Sequence, residues 1–76
     1  MAMRMYGITN AKGQWMELSG QVVGTWKNTI DATSLAGSAA YARWFLDGVR
    51  AGKLFDVPDP TARLAAFDLV EVKETP

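Results

Sequence analysis

The residues best equipped for chemistry in this chain are its acids, its serines and two glycine-marked loops, and their spacing sets them to structural tasks. Gly52-Lys53 has the ending of a phosphate-binding loop, in which backbone N–H groups and a lysine cradle an anion. The upstream glycine spacing and the following Ser or Thr are missing, and the pair follows a helical pattern, so it reads as a helix cap. Gly20-Gln21-Val22-Val23-Gly24 lacks the dinucleotide pattern and reads as a turn or bulge. Asp56 and Asp59 could serve as a carboxylate pair for metal or acid–base work, but the flanking prolines assign them to a turn and a cap. Ser19, Ser34 and Ser38 have no histidine to activate them. Asp31, Asp47, Asp68, Glu17 and Glu71 show no spacing that sets two acids beside a nucleophile. Histidine and cysteine are absent from the sequence, which removes the commonest general base, disulfides and thiolate metal sites. The expectation is a protein that is not an enzyme and uses no cofactor and no metal.

The chain has 76 residues, with 8 basic and 8 acidic side chains. Its cations (Arg4, Lys12, Lys27, Arg43, Arg50, Lys53, Arg63, Lys73) are spread evenly and interleaved with acids. A nucleic-acid module normally gathers them on one face. Nucleic acid is therefore an unlikely partner, with base stacking on Trp15 or Tyr6 beside Arg4 and Lys12 as the alternative form. Met1 to Met5 has no apolar run of the signal-peptide kind, and no stretch reaches the roughly 20 apolar residues of a membrane span. A cytoplasmic protein without membrane attachment is expected. One domain over 1–76 follows from the length. A single core of this size is only marginally sufficient, so association with another subunit is the expected reinforcement.

The elements that must position these residues follow from periodicity. Residues 3–9 read as a strand, with Tyr6 and Ile8 on one face and Met3 and Met5 on the other. Asn10 to Gly13 is a turn. The chain returns through 14–19, with Met16 and Leu18 on one face and Trp15 and Glu17 opposite, and 21–23 resumes that strand after Gly20. Residues 25–33 read as a loop anchored by Trp26 and Ile30, and Thr33 or Ser34 as the N-cap of a helix over 35–51. Gly52 is its C-cap. Asp59-Pro60 predicts a helical turn over 61–65, and 66–73 reads as a last strand whose apolar positions shift face between Leu69 and Val70, by a bulge or by burial on both sides. The fold class is α+β: a small two-layer sandwich, ββαβ, with an antiparallel sheet, one long helix on one face, and the last strand paired with the first hairpin.

The helix carries the functional signal. Its charged residues, Arg43, Asp47 and Arg50, fall within one arc of roughly 60° at about 100° per residue. The core stripe is Leu35, Ala39, Ala42, Phe45, Leu46 and Val49, and a second strip holds Gly37, Tyr41, Trp44 and Gly48. Phe45, Phe67, Trp26 and Tyr6 read as core. Trp15 and Trp44 lie opposite the core positions of their own elements. They are either interface anchors or covered by the loop 20–33 and the connector 53–60 respectively. The candidate protein interface is thus Trp15, Tyr41, Trp44 and Gly48, with a homodimer expected.

Tyr6-Gly7-Ile8, then Lys12-Gly13-Gln14-Trp15 in a hairpin, one helix and a closing Leu69-Val70-Glu71-Val72 resemble small accessory proteins of phages and prophages, anti-CRISPR proteins among them. That resemblance implies a non-enzymatic inhibitor that binds a host defence complex. The acidic excess of nucleic-acid mimics is absent here, which points to steric occlusion through an apolar surface. The alternatives are a nucleic-acid-binding hairpin module and a structural subunit of a larger assembly.

Overall fold

A computed structural model of the chain describes residues 3–20, 23–53 and 58–70. The elements run β1 (Met3–Thr9), β2 (Trp15–Met16), β3 (Trp26–Lys27), a 3-10 turn (Ala32–Ser34), α1 (Ala39–Ala51) and β4 (Arg63–Leu69). The four strands form one antiparallel sheet in the order β3-β2-β1-β4. The α+β architecture read from the sequence is the one observed, and the last strand does pair with the first. β1 is central because β4 matches it residue for residue from Met3 opposite Leu69 to Thr9 opposite Arg63. On its other side it holds β2 through Thr9 opposite Trp15. Ile8, Met16, Leu18, Phe45, Leu46, Val49 and Ala62 make the core between sheet and helix. Among the described residues no helix is long and apolar enough to cross a membrane.

Several local expectations are corrected. The return strand is shorter than 14–19. Beyond Met16 the amides of Leu18 and Ser19 both donate to the carbonyl of Thr33 (2.8 and 3.2 Å), which pulls the chain out of the ladder. Residues 25–33 are not wholly a loop, since Trp26 and Lys27 pair with Met16 and Trp15. Ile30 is exposed rather than an anchor.

The helix begins at Ala39, not at 35, and Ser38 caps it by accepting from the Tyr41 amide. Residues ahead of Ser38 are occupied otherwise. Ala36 and Tyr6 exchange two backbone bonds of 2.8 Å, which holds this stretch extended along β1. Thr33 and Ser34 belong to the 3-10 turn, which Asp31 caps. Gly37 therefore lies outside the helix strip.

Gly52 is the C-cap, left-handed at φ 68°, a conformation glycine adopts without strain. The segment 61–65 is not helical. Ala62 N–H donates to Asp59 in a tight turn (3.1 Å), and β4 starts at Arg63 without a bulge through Leu69. Phe67 lies opposite Met5, on the sheet face away from the helix, and so is not part of the core. The expected strand segment 21–23 and the end of the expected strand at 71–73 fall wholly or partly outside the described residues, as does Asp56.

Candidate protein interface

The helix turns Tyr41, Trp44 and Gly48 to one side, as their spacing demands. Trp44 is 59% exposed and Tyr41 40%. Their rings stack with centroids 6.3 Å apart and 27° between planes. Phe45 supports both from the core, edge-on to Tyr41 at 5.8 Å and to Trp44 at 6.3 Å. The Tyr41 hydroxyl donates to the carbonyl of Leu18 (3.0 Å), which leans its ring toward the β2 side of the helix. On the other flank Arg50 Nε donates to the carbonyl of Ala62, just before β4 (2.8 Å). A shallow depression of about 310 Å³ lies beside the indole, lined by Trp44, Asp47, Gly48, Ala51 and Lys53. Gly48 is buried in its floor, and its carbonyl accepts from the Lys53 amide (2.9 Å).

Trp15 is placed elsewhere. It faces away from the helix, because its neighbour Met16 is in the core and strand side chains alternate. Half-buried, it reaches diagonally across Gly7 of β1, where an added Cβ would sit 3.3 Å from the indole. From the far side Phe67 meets the same indole at 5.4 Å and 51°. Trp15 is thus one end of an aromatic row spanning three strands, and it does not join Tyr41 and Trp44 in one patch.

The polar residues that looked most reactive are committed to holding loops. Lys27 Nζ donates to Glu17 Oε1 (2.7 Å), Asp31 Oδ1 (2.7 Å) and Thr33 Oγ1 (2.9 Å), and the Thr33 hydroxyl, with one proton to give, lies within hydrogen-bond reach of both acids. Hydrogen bonds from Lys27 and Thr33 hold the Asp31 carboxyl well below its ordinary value of 3.8. Partial burial opposes the Lys27 charge, yet Asp31 and Glu17 together keep its pKa above 10.5. This clamp ties β3 to the 3-10 turn, and nothing in the spacing of Glu17, Lys27, Asp31 and Thr33 flagged it beforehand.

A wider cleft of about 540 Å³ opens between the turn after β1 and the end of α1, with Met16, Trp26 and Val49 in its wall. Its polar rim is bonded to itself. Asn10 Nδ2 donates to Gln14 Oε1 (3.1 Å) and Asp59 Oδ2 (3.3 Å), while Asp59 Oδ1 accepts from the Thr61 amide (3.0 Å) and hydroxyl (2.6 Å). Those Thr61 bonds foremost hold the Asp59 carboxyl below its ordinary value. Among the described residues no buried side-chain polar atom lacks a partner, and no three acids gather as a metal-ligand set. No protein-family model, curated protein or solved structure matches this chain.

Proposed function

We propose that this chain is a non-enzymatic protein-binding module whose anchor is the Tyr41–Trp44 stack on α1. The observation that carries the proposal is the 59% exposure of Trp44 beside a depression of its own making. Tryptophan and tyrosine supply large rigid contact area and dominate the energetics of protein interfaces. A heterologous protein fits this patch better than nucleic acid does. Of the three cations on the strands, Arg4 is paired with Asp68 and Lys27 with Glu17 and Asp31, which leaves Arg63 as a single charge rather than a basic face. The resemblance to phage accessory inhibitors makes a host defence complex the first partner to try, with action by steric occlusion.

The test compares the wild type with Trp44→Arg, both immobilised and offered a lysate of the producing cells. Circular dichroism and Tm establish first that the variant is folded. The expected result is a protein retained by the wild type and absent from the variant, which the purified pair then reproduces by titration. Identical retention by both, or unfolding of Trp44→Arg, overturns the proposal.

A further inference from the structure

We propose that β4 is a self-pairing edge, by which two copies of this chain join antiparallel about a two-fold axis through Phe67. β4 is the end strand of the sheet, paired with β1 along all of its length. Among the described residues no backbone group bonds to its far side. Alternate residues of an antiparallel strand point their N–H and C=O groups to opposite sides, so a row of donors and acceptors is left open there. The opposite edge of the sheet is blunt, because β3 has only 2 residues. Nothing blunts β4. Arg63-Leu64-Ala65-Ala66-Phe67-Asp68-Leu69 contains no proline, lysine or glycine, and its register against β1 is unbroken. On the helix side Ala66 and Asp68 are exposed, so α1 leaves this half of the strand uncovered.

The sequence of the edge selects a second copy of itself as the occupant. With the axis at Phe67, Leu64 faces Val70 of the partner, Ala65 faces Leu69, Ala66 faces Asp68 and the two Phe67 rings face each other. Apart from Asp68, which meets the small Ala66, apolar groups meet apolar ones, and the faces of both sheets are preserved. Leu69 and Val70, now 44% and 67% exposed, gain cover. Asp68 is the one charge between positions 64 and 70, and Arg4 of its own chain neutralises it at 3.0 Å, so no unpaired like charges approach. The alternative registers are worse. An axis at Ala66 sets Arg63 against Leu69 and Asp68 against Leu64. An axis at Ala65 sets Val70 against Pro60, which has no N–H to give.

On the outer face the favoured register extends the aromatic row to Trp15–Phe67–Phe67–Trp15 across both copies. A ladder of this length belongs to the class of small interfaces, below about 1,200 Å² in total, which are weak and transient. The contact leaves Trp44 free, since Tyr41 leans toward Leu18 while β4 lies on the Arg50 flank of the helix.

Light scattering over a hundredfold concentration range tests this directly. The wild type is expected to pass from the mass of one chain to that of two. Leu69→Lys and Val70→Lys, at exposed positions, are expected to keep the circular dichroism spectrum and weaken the dimer at least tenfold. In a chain without cysteine, Phe67→Cys is expected to form a cross-linked dimer on mild oxidation, and Leu69→Lys in the same background to prevent it. A monomer at every concentration overturns the proposal and leaves the edge to another protein's strand. A dimer that survives both lysines but is lost in Trp44→Arg overturns it in favour of helix-to-helix association.

Discussion

Trp15 and Trp44 carry the same indole and were drawn from the same kind of pattern, a large aromatic opposite the core positions of its own element. Their surroundings diverge because a sheet and a helix offer different neighbours. Trp15 has a strand beside it at diagonal reach, and that strand presents Gly7, so the ring settles over bare backbone with Phe67 closing the other side. Trp44 has no strand beside it to cross: Tyr41 one turn back and the adjacent Phe45 support its base and leave it 59% exposed. The first indole does the work of a missing side chain. The second is held out at the surface by a built platform.

Substitutions sharpen this contrast in descending order of effect. Gly7→Val should be the most damaging, because even its Cβ would lie 3.2 Å from the Ser34 carbonyl and 3.3 Å from the indole. Overpacking of this kind costs about 3 kcal/mol, read as a drop in urea midpoint with unchanged slope. Trp15→Ala should cost about 2 kcal/mol, since a half-buried indole and its aromatic pair are lost from the sheet face. If Trp15→Ala instead melts like the wild type, the indole does not serve as the cover of Gly7, and the contrast with Trp44 collapses. Tyr41→Phe should cost only about 1 kcal/mol, for one hydrogen bond to the Leu18 carbonyl. It should also raise the mobility of the Trp44 ring, visible as a lower steady-state anisotropy of its fluorescence in a Trp15→Phe, Trp26→Phe background.

Much of the architecture was legible because it rests on periodicity. The alternation in 3–9 gave β1 its bounds and its faces, and the apolar stripe of Ala42, Phe45, Leu46 and Val49 marked the buried side of the helix. Gly52 announced the C-cap, because a left-handed residue ends many helices. The start of the helix was misplaced for a tertiary reason. Leu35 and Gly37 continue the helical spacing, but pairing of Ala36 with Tyr6 holds that stretch extended against β1. The start of β4 was missed because Asp59-Pro60 is an equally good opening for a helix or a turn, and only pairing with β1 decides. For the interface, helical spacing brought Tyr41, Trp44 and Gly48 together correctly, while burial of Gly48 was beyond its reach. Grouping Trp15 with them required knowing which strand its ring would cross.

The pairing of β1 with β4 also sets an order of events. The turn after β1 and the helix are built from near neighbours in sequence, whereas Arg4 must find Asp68, 64 positions away. Closing a loop of that span before it is rewarded is the slow part of such a topology. While the chain is being made, the central strand therefore stands with one side vacant until Arg63 to Leu69 have emerged. In that interval any extended segment, from this chain or another, competes for the same backbone groups. The protein is most exposed to mispairing in its youth, at the strand that becomes its best protected.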